Sequence, residues 1–503
     1  MSWVFLASVL YILHRYTEGR NPPLWLLPII LLIWVNCHNG FVLGWMAVGC
    51  FFVGLSIKQR RFDKRIFKWG SASVLVTVIN PYHIHGVLFP FTLISSFRSG
   101  SLFGQAISEL VSPFASGGQT TVQLPFYPYT ILVPYFILFA ASLVAAVCLF
   151  RKQKYWAVLL FLPFLYLSAK MMRSIPLLVV ACLPVMIYGL PLDHVGRLFR
   201  WGDRRYRRFT LVAALVLMLL TIGMASYVVT DAYYLSTRRV DRFGWDWNRT
   251  ALPVEAMNFV NQAGIKGLAL NHLNFGGYLM WATGQKTFID GRLEVVREKF
   301  YAEYERYFSP RQDKRQWRQA LEQGVTRWNI QWIIFPYDVN PGLLNLLSRN
   351  SAWRLAYVDH KAVIFVRNGP EIERYIDPNL KRLLKPSIPS PLRTLPGLFG
   401  NQRPNSFKRF LSGFFEKQAF PTHHHMFGLF HYFRREWPKA HAHFTEAVKE
   451  SRGYYYETYN NLGSASFRLG QLDVARQCYE IVLKEDPKNP IALRRLRQIS
   501  KMN

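Results

Sequence analysis

Apolar residues fall in long blocks before Thr230 and at spaced positions after it, and that change divides the chain. A straight helix needs about 20 apolar residues to cross a bilayer core. Ile131 to Phe150 and Thr210 to Val229 each supply such a run. Leu24 to Val35, Phe41 to Ile57, Trp69 to about Phe97, Tyr155 to Ala169 and Ser174 to Leu190 are further candidates, several of them short or broken by proline and polar residues. Irregular backbone at membrane depth has to be buried in protein or line a cavity. The pattern therefore predicts a polytopic α-helical membrane bundle over residues 1–230. Met1 to Leu13 is apolar for only about 13 residues, roughly 20 Å as a helix, and lacks the basic start and cleavage site of a signal peptide. It reads as the tail of a spanning helix, which implies a further portion upstream.

After Thr230 the pattern alternates between the two periods. Leu252 to Gln262, Val295 to Phe308 and Arg315 to Trp328 read as helices. Ile265 to Asn271, Lys286 to Ile289 and Ile330 to Phe335 read as strands, and Arg354 to Val358 with Ala362 to Val366 as a hairpin turning at Asp359-His360. This predicts a small α/β domain over 231–369. Residues 370–420, rich in basic residues and in prolines such as Pro386, Pro389, Pro391, Pro396 and Pro404, read as a linker.

Residues 421–503 contain a repeat. Gly428, Ala440, Phe444 and Ala447 recur 35 residues later as Gly463, Ala475, Tyr479 and Val482. The small residues let paired helices approach, and the aromatic rings fill the groove between them. Asn461-Leu462-Gly463 and Asp486-Pro487 complete the signature of a tetratricopeptide repeat, whose period is about 34. The signature is clear in the second repeat; the first has Arg452 where proline is expected. Asn489 to Ile499 reads as a capping helix. Such repeats bind peptides or partner proteins, a purely structural cap being the alternative.

Charge changes the picture in one respect. The 503 residues carry 61 Lys and Arg against 30 Asp and Glu, a formal charge of +31. A surplus of that size implies a polyanionic partner. No nucleic-acid-binding motif is present, and the basic runs lie between apolar segments, so the expected partner is a membrane and not a nucleic acid. Clusters at Lys58–Lys68, Arg151–Lys154 and Arg197–Arg208 all fit the cytoplasmic side. The last helix then delivers the second half outside the cytoplasm, as part of an integral plasma- or inner-membrane protein. The five cysteines form no C-x-x-C pair, which argues against a zinc or redox motif.

Several stretches carry a resemblance. They are Trp34-Val-Asn-Cys-His38-Asn-Gly40-Phe-Val-Leu-Gly44, Asn80-Pro81-Tyr82, Ile107-Ser-Glu109 with Ser112-Pro113, Arg173-Ser-Ile-Pro176, Asn274-Phe-Gly276-Gly277-Tyr278-Leu279 and Phe288-Ile-Asp290-Gly291-Arg292. Over residues 20 to 370 the chain resembles bacterial multi-spanning membrane proteins related to C-type, dolichyl-phosphate-mannose mannosyltransferase-like glycosyltransferases. The resemblance implies a polyprenyl-phosphate sugar donor, an extracytoplasmic active site and a role in cell-envelope glycan assembly. In such transferases the acidic catalytic motif sits in the first outer loop, which has no counterpart within residues 1–503. Two functions therefore stand: a glycosyltransferase, or a non-catalytic membrane scaffold recruiting envelope proteins through its repeats.

Sugar transfer of this kind needs a carboxylate base and cations for the phosphate leaving group. Glu109 is the one carboxylate before Thr230 that this topology places outside, so it is the candidate base; a loop acid paired with Arg98 or Arg173 is the bland alternative. Lys170 and Arg173, between two apolar runs on the same side, are candidate phosphate ligands or residues reaching to lipid headgroups. The three are expected to line one pocket. His38, Asn80 and Tyr82 interrupt apolar stretches and line a cavity or hold a helix break. Asp290 and Arg292 follow a strand and bind sugar or phosphate, or pair with each other. Gly276-Gly277 reads as a tight turn opening a short helix. Six of the 13 histidines lie between His423 and His443 without a metal-ligand spacing, so no cofactor is indicated. Asn248-Arg-Thr250 is a glycosylation sequon.

Overall fold

The computed structural model describes residues 2–96, 112–114, 132–189, 203–230, 233–234, 243–244, 247–292, 296, 298–308, 314–370, 372–380, 422–451 and 455–502. Two compact units divide it, Met1–Ala213 and Ala214–Asn503.

The first unit is helical. Its helices are α1 (Ser2–Thr17), α2 (Leu26–Cys37), α3 (Val42–Gln59), α4 (Lys64–Leu75), α5 (His83–Ser96), α6 (Leu132–Arg151), α7 (Tyr155–Lys170) and α8 (Ile175–Gly189). Helix α9 (Asp203–Val229) begins in this unit and ends in the second. Trp34, Phe51, Trp156, Phe161 and Phe164 are buried in one apolar core. Helices α3 and α7 meet where the Phe51 and Trp156 rings stack at 4.3 Å. Gly54 makes that approach possible: a Cβ there would overlap the Trp156 backbone.

The expected polytopic bundle is met only in part. Among the described residues one helix, Asn39–Gln59, is long and apolar enough to cross a membrane. Lys64–Val78 and His83–Thr92 pass together only as a pair bent by 101°. Leu26–Cys37, Tyr135–Arg151, Tyr155–Lys170, Met172–Met186 and Ala214–Val229 are apolar but shorter. The run from Trp69 breaks at Asn80-Pro81, whereas Leu132–Arg151 and Asp203–Val229 each continue as a single helix.

In the second unit a four-stranded mixed sheet has the order β1-β2-β4-β3, with β1 (Leu268–Asn271), β2 (Ile330–Phe335), β3 (Trp353–Val358) and β4 (Val363–Arg367). β1 and β2 are parallel; β2–β4 and β3–β4 are antiparallel. Helices α10 (Val254–Ala263), α11 (Leu273–Thr283), α12 (Glu298–Phe308), α13 (Lys314–Trp328) and α14 (Pro341–Ser348) surround it. The expected hairpin is present. The expected strand Lys286–Ile289 is not: only Thr287 bridges, to Ala269. Its polar backbone groups are taken by a side chain instead. Asn271 Oδ1 accepts from the Phe288 N–H at 2.9 Å, and Asn271 Nδ2 donates to the Ile289 carbonyl at 2.7 Å. Nor does Gly276-Gly277 open a turn, because α11 already starts at Leu273. Gly276 is needed for space: a Cβ would strike the Ile289 carbonyl oxygen.

The C-terminal helices form two antiparallel pairs and a cap: α15 (Thr422–Phe433), α16 (Trp437–Glu450), α17 (Tyr456–Arg468), α18 (Leu472–Glu485) and α19 (Pro490–Ser500). Asn489 caps α19, its side chain accepting from Ala492 N.

Candidate functional site

The sequence-derived residues of the first unit do not converge on one described pocket. Glu109 lies outside the described residues, and with it the expected pocket. Lys170 ends α7 and Arg173 sits in the adjoining 3₁₀ turn, Met172–Ser174; both are exposed. Lys170 Nζ lies 5.8 Å from the centre of the Tyr166 ring. Neither cation makes an ion pair among the described residues. Ser112 Oγ donates to the Ala169 carbonyl at 2.6 Å, which brings Ser112-Pro113 to the same helix end.

His38 joins a local network. Gly40 N–H donates to His38 Nδ1 at 2.9 Å, so that nitrogen is an acceptor, and Ser2 Oγ, 3.0 Å away, can donate to it. Ser2 Oγ in turn accepts from Trp34 Nε1 at 3.0 Å. Asn80 is buried at the break before α5. Its Nδ2 donates to the Thr77 and His83 carbonyls at 2.8 and 2.9 Å, and its Oδ1 accepts from Tyr82 N–H at 2.8 Å. The Tyr82 ring itself is exposed. These groups support the break.

In the α/β domain Asp290 is buried and held by Arg292, whose Nε donates to both carboxylate oxygens at 3.1 Å and whose Nη2 donates to Oδ2 at 2.5 Å. That hydrogen bond keeps the Asp290 carboxyl below its ordinary range against the opposing effect of burial. The structure also brings together two motifs that the sequence reading treated apart. Gly276 on α11 packs against the backbone at Ile289-Asp290. Sequence reasoning missed Asn271, whose signal was a polar residue at the end of an otherwise apolar strand.

The repeat module is the best-formed candidate. Phe444 fills the space over Gly428, and Cys478 and Tyr479 that over Gly463. Along α17, Leu462, Gly463, Ala465 and Ser466 are buried. Glu457, Asn460 and Ser464 recur at helical spacing beside this stripe and are half-buried, Ser464 Oγ lying 3.2 Å from the Tyr479 hydroxyl on α18, while Arg468 at the end of the helix is exposed. Asn460 Oδ1 is without a hydrogen-bond partner among the described residues. Residues 456–489 match the tetratricopeptide repeat family. The matched repeat is α17 and α18 with the turn that follows, and α15 and α16 reproduce its geometry ahead of the match. No curated protein matches the chain.

The histidines sit inside the first helix pair. His424 Nδ1 lies 3.1 Å from His443 Nδ1, and the His431 and His443 rings stack at 5.3 Å. His431 Nδ1 contacts Glu436 Oε2 at 2.6 Å. Burial works to raise Glu436, but the His431 hydrogen bond and the Arg434 charge outweigh it and hold the carboxyl at about 2. Since that carboxylate is ionised, His431 Nδ1 is the donor. Burial lowers His425 and His441 to about 4 and, with neighbouring histidines, His443 to about 3. No group of three or more His, Cys, Asp or Glu is arranged to hold a metal ion among the described residues.

Proposed function

We propose that this protein is a membrane-anchored scaffold that recruits protein partners through its C-terminal repeats. The observation that carries the reading is the tetratricopeptide match over 456–489, folded as a helix pair with Arg468 exposed at the end of α17. Membrane attachment is supported by α3 and by the apolar part of α9. From Leu215 to Leu220 every side chain is exposed, as are Ile222, Met224 and Val229. A helix that is apolar all round and uncovered suits lipid better than water. With the basic clusters inside, the second half lies outside the cytoplasm and meets envelope proteins there.

A photo-crosslinking amino acid placed at Ser464 or at Arg468 in the full chain tests this. Both positions should capture the same protein from native membranes, and Glu480 on α18 should not. Capture that is equal from all three positions, or none from any, rejects the reading.

A second reading is a glycosyltransferase that uses a polyprenyl-phosphate sugar. Lys170 and Arg173 favour it: two exposed cations on one short turn between apolar helices suit a lipid phosphate, Arg173 through its bidentate fork. Arg173→Ala should then weaken binding of polyprenyl phosphate to the detergent-solubilised chain, and unchanged binding removes the reading.

A further inference from the structure

The α/β domain carries an aromatic surface that neither reading uses. Helix α11 turns Phe275 and Leu279 into the core, and Trp281 stands outside that buried stripe, 66% exposed. Trp247 is 49% exposed. The two rings lie 4.9 Å apart, and Tyr278 completes a triangle at 5.5 Å from each. Trp247 does not hang on a loose strand. Arg249 Nη1 donates to Glu255 Oε1 at 2.8 Å, His360 Nε2 meets the Arg249 carbonyl at 3.1 Å, and Asn248 Oδ1 accepts from the N–H groups of Thr250 and Ala251. The segment is pinned to the domain, and the ring cluster is a built feature of its surface.

Two exposed indoles backed by a half-buried tyrosine that packs on the core mark a contact surface. Two observations say with what. The rings are tryptophan and tyrosine, whose flat apolar body and polar N–H or O–H suit the boundary between headgroups and acyl chains. The same compact unit begins with the uncovered apolar stretch Ala214–Val229, and the chain passes from its end to Trp247 with Tyr227, Tyr233 and Tyr234 clustered on the way at 6.1 and 5.3 Å. Aromatic residues thus mark both the exit of that helix and the domain that follows. We propose that Trp247, Tyr278 and Trp281 form a membrane-interface contact, which rests the α/β domain on the bilayer with these rings among the lipid headgroups. The inference rests on the membrane reading above.

The test uses the full chain in phosphatidylcholine vesicles whose acyl chains carry bromine near the headgroup. The fluorescence of Trp247 and Trp281 is read as the difference between the wild type and Trp247→Phe/Trp281→Phe, a change that keeps the aromatic packing. Brominated lipid should reduce that difference by about half or more, as expected of indoles at the interface. If the chain floats with the vesicles through an alkaline wash but the difference signal is unquenched, the interface contact is wrong and the membrane reading stands. If the chain does not float, the membrane reading fails and this contact with it.

Discussion

His424 and His443 meet ring nitrogen to ring nitrogen, Nδ1 to Nδ1 at 3.1 Å, across the first helix pair of the repeat module. One Nδ1 must carry the proton that the other accepts, so at most one of the two rings can be protonated without breaking the contact. Around them stand His423, His425 and His431 on α15, Lys439, His441 and Glu450 on α16, and Arg434 and Glu436 at the turn.

Acid should therefore loosen this helix pair. His425, His441 and His443 titrate in the folded chain at about 4, 4 and 3, against an ordinary value of 6.5. Below pH 6.5 the unfolded chain binds protons that the folded one refuses, so stability falls as pH drops from there towards 4. His425 alone accounts for about 2 kcal/mol between pH 7 and pH 5. Amide hydrogen exchange in the full chain, corrected for intrinsic rate, should show residues 422–450 losing protection at pH 5. Equal protection at the two pH values refutes this.

Removing Glu436 should cost more than removing its partner. Glu436→Ala leaves the fully buried His431 Nδ1–H with no acceptor, an expected loss of about 2 kcal/mol. His431→Leu replaces a buried ring by an apolar side chain and should cost less, about 1 kcal/mol. Thermal unfolding of the two variants compares them, and a larger loss for His431→Leu contradicts the assignment.

The two repeat glycines should differ. A Cβ on Gly428 would lie 2.5 Å from the buried Phe444 ring, which has nowhere to move. On Gly463 it would lie 3.0 Å from Cys478 Cβ, within reach of a small adjustment. Gly428→Ala should destabilise by about 1–3 kcal/mol through overpacking. Gly463→Ala should be close to neutral, since the gain in helix propensity of up to about 1 kcal/mol offsets the crowding. Denaturant midpoints that coincide for the two variants would count against this packing.

Asn271 should be critical to the α/β domain. Asn271→Ala leaves the buried Phe288 N–H and Ile289 C=O without this partner, an expected loss of about 2–4 kcal/mol. Asn271→Asp keeps the bond to Phe288 but buries a carboxylate and sets one of its oxygens against the Ile289 carbonyl, so it should cost at least as much. Urea unfolding should place both variants well below the wild type, and wild-type stability in either shows the side chain is dispensable.

Much of this fold was legible because local signals agreed with packing. β2 and the hairpin at Asp359-His360 are β-branched runs bounded by turn residues, and the repeat declared itself through small and aromatic residues at matched positions. Lys286 to Ile289 misled because its strand-like residues are served by a side chain from elsewhere in the chain. Helix α14 was overlooked although Asn340-Pro341 gives it a cap and a first residue. The membrane half was harder, since proline and asparagine cut helices without removing the apolar run. Of the candidate site, the repeat was readable from sequence; the aromatic triangle was not, because Trp247 and Trp281 come from segments that only the fold joins.

The corner before α5 has a bearing on how the chain assembles. Every bond made by the Asn80 side chain ends within Thr77–His83, and a tie from outside, Asn36 Nδ2 to the Ile79 carbonyl at 2.9 Å, comes from α2, which precedes the corner in the chain. None of these bonds comes from a helix that follows α5. A corner of that kind can set while the chain is still emerging, before later helices exist to brace it. The 101° angle between Lys64–Val78 and His83–Thr92 is then a starting condition for assembly and not its product.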